Sequence, residues 1–103
     1  MATVPPSPTD DPARDLQAAT DLLRALASPV RLGIVRELSG GAKYVHELVA
    51  ALNVSQPLVS QHLRVLRTSR IVTAQRQARE IQYSLTDDHV AHIVLDAIRH
   101  AQE

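Results

Sequence analysis

Residues 45–67 read VHELVAALNVSQPLVSQHLRVLR, and the division of this stretch decides the fold. A short helix is expected over Val45–Leu52, and Asn53 with Val54 makes a tight turn. Ser55 then caps a second helix, Gln56–Thr68, which directs Leu58, Val59, Leu63 and Leu66 inward at helical spacing. Two short helices across a short turn predict a helix-turn-helix.

The flanks extend the pattern. Upstream, Leu16, Ala19, Leu22, Leu23 and Leu26 mark an amphipathic helix over about residues 15–27. Ser28-Pro29 supplies the N-cap and first-turn pair of a second helix, carried by Leu32, Ile34, Val35 and Leu38 and stopped by Gly40-Gly41. Residues 1–14 hold four of the six prolines and read as a flexible arm. Downstream, residues 71–76 and 80–85 are β-prone and separated by Gln77-Ala78-Arg79, a hairpin without the Gly or Asn that favours positive φ. A last helix starts near Asp88, with Thr86 or Asp87 as its cap and Asp88 complementing its positive end. The order α-α-α-α-β-β-α predicts a mainly α winged helix-turn-helix with a β-hairpin wing. Residues 15–103 form its single domain, which dimerises through the first and last helices.

Composition narrows the function classes. With 103 residues the chain forms one modest core, and a dimer interface would add to its stability. There is no cysteine, so disulfides and thiolate metal sites are excluded. No apolar run approaches the roughly 20 residues of a membrane span, and the Pro-rich start lacks the regions of a signal peptide. The expected location is the cytoplasm. Net charge is zero but polarised: residues 64–80 carry five arginines and one acid.

Within the second helix of the motif, Ser55, Gln56, Ser60, Gln61 and Arg64 are the polar positions. The N-terminal part of this helix enters the major groove in such motifs, and Gln suits bidentate bonds to adenine. Gln56, Ser60 and Gln61 are assigned to base edges. His62 has two readings, a phosphate contact or a neutral ring packed at the helix edge. Arg76 and Arg79 flank the wing loop, placed for phosphates or the minor groove.

The C-terminal run DDHVAHIVLDAIRHAQE, residues 87–103, carries four ligand-type residues: Asp87, His89, His100 and Glu103. On one helix the two histidines share a face but stand roughly 16 Å apart along the axis, too far for one ion. If two copies pack antiparallel about a two-fold axis, Asp87 comes opposite Glu103 and His89 opposite His100, in registers that agree to within a residue. Each dimer would then hold two sites of two imidazoles and two carboxylates, a set that suits tetrahedral zinc, with cobalt as a substitute. His92, one turn beyond His89, is a rival ligand or a nickel-completing one.

The segments LRALASPVRLGIVREL (residues 23–38), VHELVAALNVSQPLVSQHLRVLR and REIQYSL (residues 79–85), followed by the D-x-H and H-x-x-E pairs, closely resemble the ArsR/SmtB family of bacterial metal-responsive repressors. The resemblance spans residues 16–103 and is nearest the zinc-sensing SmtB branch. It implies a homodimer on an inverted-repeat operator in double-stranded DNA, released by zinc held between the C-terminal helices. It also implies that His100 donates its free ring N–H to the Arg70 carbonyl, coupling sensor to reading head. Two departures stand out. Tyr44 and His46 occupy the positions where soft-metal sensors carry cysteines, and Ala78 occupies a wing turn that is often Gly. The alternatives are a nickel- or cobalt-responsive repressor of the same family, or a zinc-stapled winged-helix module binding a protein. An enzyme is not expected, because the chain has no cysteine nucleophile and no Gly-rich phosphate loop, and a four-ligand shell leaves no open metal position for a small-molecule substrate.

Overall fold

Five helices start where a side-chain oxygen satisfies an orphan backbone N–H. In the computed structural model, which describes residues 11–103, these are α1 (Pro12–Leu26), α2 (Pro29–Leu38), α3 (Val45–Leu52), α4 (Gln56–Thr68) and α5 (His89–Ala101). Asp11 caps α1 by accepting from the Ala13 N–H at 3.0 Å. Ser28 caps α2 from Arg31 at 3.3 Å, and Ser55 caps α4 from Leu58 at 3.4 Å. For α3 the Glu47 carboxylate reaches back to the Tyr44 N–H at 2.9 Å. For α5 it is Asp87, one position outside the N-cap Asp88, that accepts from the His89 N–H at 2.9 Å, while Asp88 makes no side-chain cap bond.

The first helix begins at Pro12 rather than Asp15, because Asp11 and Pro12 form a cap and first-turn pair of their own. Residues 1–10 of the expected arm lie outside the described residues.

Three strands accompany the helices: β1 (Lys43–Tyr44), β2 (Val72–Gln77) and β3 (Glu80–Leu85), ordered β1-β3-β2 and antiparallel throughout. The sequence reading contains β2 and β3 but not β1, whose two residues pair with Tyr83 and Gln82 of β3. Gln77 belongs to the ladder, opposite Glu80, so the wing loop is only Ala78-Arg79. Ala78 takes φ +58°, the left-handed value that a tight hairpin demands and that a Cβ resists.

The core lies between α2, α3, α4, the root of the wing and α5. Ile34, Val35, Leu48, Val59, Leu63, Leu66, Ile71, Val72 and Val94 are almost wholly shielded from solvent. Gly33 lets α2 approach α3 closely, since a Cβ there would stand 2.7 Å from a Leu52 methyl. Asn53 closes α3 in the left-handed region at φ 55°, which turns the chain directly into the Ser55 cap of α4. The helix-turn-helix is thus fixed by the core on one side and by this turn on the other.

Candidate nucleic-acid interface and metal-ligand pairs

Burial of Val59, Leu63 and Leu66 turns the opposite stripe of α4 outward, so Gln56, Ser60, Gln61 and Arg64 are all exposed. Ser55 is exposed too, but its hydroxyl is committed to the cap. The start of α4 and the wing enclose a cleft of about 490 Å³ lined by residues that include Gln56, Ser60, Arg79 and Tyr83. Arg76 and Arg79 are exposed on the wing, Arg76 opposite Ile81 in the ladder and Arg79 in the loop. A polar helix face beside an arginine-bearing hairpin can read base edges and grip phosphates together.

One cluster in this cleft is absent from the sequence reading. His46 at the start of α3 places Nδ1 3.1 Å from the Glu80 carboxylate at the start of β3, and the Tyr44 ring stacks on His46 at 5.7 Å with planes 5° apart. Together they pin the wing to α3. The signal in the sequence would have been β1, because the Tyr44–Gln82 register brings His46 beside Glu80.

His62 faces α2. Its ring is half-buried, and Nδ1 lies 3.1 Å from a guanidinium nitrogen of Arg31 on α2. Burial lowers its pKa below the ordinary imidazole value and the neighbouring Arg31 charge adds to this, so the geometry favours the packed neutral ring over a phosphate contact.

The four C-terminal ligand candidates fall into two pairs at opposite ends of α5. His89 Nδ1 is 3.6 Å from the Asp87 carboxylate, and His100 Nδ1 is 3.9 Å from Glu103. Both imidazoles are about nine-tenths exposed (91% and 89%). Among the described residues no three metal-ligating side chains gather in one place, and the two pairs stay separate within one chain. Adjacent donors around a tetrahedral zinc sit roughly 3.3 Å apart, given metal–ligand distances near 2 Å, so each pair is already close to the spacing of two ligands on one ion. The nitrogen–oxygen donor set fits zinc in the absence of thiolates. His92 is exposed on the same helix.

Between sensor candidates and reading head stands Arg70. It takes φ +60° just beyond α4, where its N–H bonds to the Arg67 carbonyl at 3.0 Å and the Ile71 N–H bonds to the Leu66 carbonyl at 2.9 Å. This is a Schellman closure with arginine in the place usually taken by glycine. The Arg70 carbonyl accepts from the Thr86 hydroxyl at 2.8 Å, one residue before Asp87.

A core-supported helix-turn-helix beside an arginine-bearing hairpin defines a protein of the winged helix class. Residues 28–74 match the family of bacterial regulatory proteins described as the arsR family. Over 103 residues the chain is 54% identical to the HTH-type transcriptional repressor SmtB of Mycobacterium tuberculosis, covering all of this chain and 76% of that protein. Among solved structures it is similar to HlyU from Vibrio cholerae, with TM-score 0.79, 30% identity, and coverage of 87% of this chain and 98% of that one. It is also similar to the homodimeric winged helix-turn-helix DNA-binding domain of a possible ArsR-family transcriptional regulator from Mycobacterium bovis, with TM-score 0.78, 25% identity, and coverage of 100% and 92%. The chain belongs to the ArsR/SmtB family of transcriptional repressors, on its SmtB branch, and is not an enzyme.

Proposed function

We propose that this repressor is a cytoplasmic zinc sensor that binds an inverted-repeat operator as a metal-free homodimer and leaves it when zinc binds between the two α5 helices. The observation that carries the reading is the pair of half-sites: each imidazole Nδ1 already faces a carboxylate, and the two pairs stand at opposite ends of one helix. An antiparallel copy of α5 brings Asp87 and His89 to the partner's His100 and Glu103, twice per dimer. The dimer itself is supported by Leu16 and Leu23 on α1, which are 69% and 55% exposed, and by Ile93 on α5 at 40%. Leu16 and Leu23 are seven residues apart and share a face, an apolar stripe with nothing on it in one chain. The homodimeric relative from Mycobacterium bovis points the same way.

Asp87 and His89 of one protomer with the partner's His100 and Glu103 would hold the zinc, which would fix the orientation of these side chains. With Nδ1 on zinc, His100 would carry its proton on Nε2, free to donate to a carbonyl. The Arg70 carbonyl has one lone pair taken by Thr86 and a second available. Thr86 stands at the opposite end of α5 from His100, so the donor would be the partner's His100, and its bond would tie the partner's α5 to the end of α4 and favour a dimer arrangement whose reading heads no longer match the operator spacing. On DNA, Gln56, Ser60 and Gln61 address bases, while Arg64, Arg76 and Arg79 address phosphates.

The test is fluorescence anisotropy of DNA from the gene's own upstream region at fixed salt, after chelation, titrated with zinc, nickel and cobalt. Release by zinc at the lowest free concentration is expected, and a His100→Gln protein should bind the operator yet ignore zinc. Should that variant still leave DNA when zinc is added, His100 is not the sensor; should nickel act first, the metal is reassigned.

A further inference from the structure

A single guanidinium joins three helices behind the reading head. Arg31 on α2 donates from Nε to the Ala25 carbonyl at 2.6 Å and from Nη2 to the Arg24 carbonyl at 3.4 Å, both in the last turn of α1. These belong to the carbonyls that a helix end leaves without an intrahelical partner, and a cation there also complements the helix dipole. From Nη1 the same group reaches His62 Nδ1, at 3.1 Å, in the middle of α4. Arginine is donor-only, so the bond requires an imidazole lone pair at Nδ1 and the proton on Nε2.

Protonating the ring would place two cations and two donors face to face. The neighbours of His62 one turn away on α4 are Leu58, Val59, Val65 and Leu66, all apolar, so its own helix supplies no counter-charge. From α2 the charged group facing the ring is Arg31, and α1 contributes only carbonyls, which face the guanidinium.

We propose that Arg31 and His62 form a positioning contact that sets the recognition helix against α1, and that protonation of His62 breaks it, making operator binding acid-sensitive. The inference rests on the operator reading above, in which α1 lies at the dimer interface and the α1-to-α4 geometry determines how far apart the two reading heads stand. Because burial and Arg31 lower the pKa of His62, the unfolded chain takes up the proton first. The contact's contribution is therefore complete above the ordinary imidazole value of about 6.5 and disappears as pH falls through it toward the lower folded value.

The experiment compares operator affinity at about pH 8 and about pH 5 under chelation for the wild type, His62→Gln and Arg31→Gln, with circular dichroism confirming the fold. The His62→Gln side chain offers a carbonyl oxygen to Arg31 without titrating. The ratio of the dissociation constants at the two pH values should be about fivefold larger for the wild type than for His62→Gln, other histidines being common to both. Arg31→Gln should weaken binding about tenfold at the higher pH without changing the salt slope, since Arg31 touches no phosphate. A readout free of DNA accompanies these: in NMR titrations the His62 midpoint should rise when Arg31 is replaced. An unchanged pH ratio in His62→Gln, a reduced salt slope in Arg31→Gln, or an unmoved His62 midpoint would each overturn the inference while the repressor reading stands. If the wild type does not bind its operator at the higher pH, the repressor reading falls instead, and the NMR titration alone decides the contact.

Discussion

Helices α1 and α4 are alike in length, 15 and 13 residues, and both are amphipathic, yet they are finished differently. In α4 the apolar stripe Val59, Leu63 and Leu66 is covered by the chain's own core, at 1% exposure or less. In α1 only Ala25 and Leu26 are buried, at its last turn, and Leu16 and Leu23 face outward. The reading head is therefore complete within one chain. The other half of the molecule, α1 with the Asp87–His89 and His100–Glu103 pairs of α5, presents the surfaces that the proposed dimer would cover. On the proposed function, such a repressor would carry a DNA face built within one chain and a regulatory face whose geometry is set by assembly.

The comparison breaks first if α4 is not held by its own chain. Leu63→Ala should cost about 3 kcal/mol, the usual transfer and cavity penalty for a fully buried leucine, whereas Leu16→Ala should change the stability of an isolated chain by less than about 0.5 kcal/mol. Urea unfolding at low protein concentration measures both. Equal losses at the two sites would mean that α1 is as much a part of the monomer core as α4.

Next in size is the assembly half. Replacing Leu16 and Leu23 together by Glu puts four charges on the paired stripe and should leave helical circular dichroism intact while shifting sedimentation to monomer. Operator affinity should then fall about 100-fold, or roughly 2.7 kcal/mol, because one reading head must bind without its partner. A variant that remains dimeric would place the interface elsewhere.

What was legible in the sequence follows the same division. The α3-turn-α4 unit was readable because each of its signals is local: Asn53 tolerates left-handed φ, Ser55 caps, and the leucines keep helical period. Strand β1 was not, since two residues have no period and exist as a strand only through β3. The His46–Glu80 pair was hidden for that reason. Asp87 and His89 lie two residues apart, and His100 and Glu103 three apart at the end of α5, so the closeness of each histidine to its carboxylate was readable from spacing. His62 was ambiguous because its partner Arg31 is 31 residues away, and only the packing of α2 on α4 brings them together.

A smaller effect sharpens the DNA half. Removing Arg76 and Arg79 should weaken operator binding about tenfold and lower the slope of log affinity against log salt by about 0.9 for each phosphate no longer neutralised. Base preference at positions assigned to Gln56 and Gln61 should persist, because in the proposed complex the wing would grip the backbone while α4 would read the bases. Anisotropy titrations at several salt concentrations decide it; an unaltered slope would show that the wing arginines stay in solvent.

The smallest expected change is a gain. Ala78 and Arg70 both hold left-handed φ, +58° and +60°, which costs an L-residue with a Cβ roughly 1–2 kcal/mol. At Arg70 the strain closes α4 and presents the carbonyl that Thr86 binds, so it belongs to the link between the two halves. At Ala78 it only closes the two-residue wing loop. Ala78→Gly relieves that strain while adding chain entropy to the unfolded state, for a net gain of about 0.5 kcal/mol and a melting point raised by about 3 °C. Operator affinity should stay within about twofold, since the Gln77–Glu80 register still sets where Arg76 and Arg79 stand. A large drop in affinity with the melting point raised would show instead that the wing must be strained to reach DNA, and that even the finished half of the molecule holds a conformational reserve.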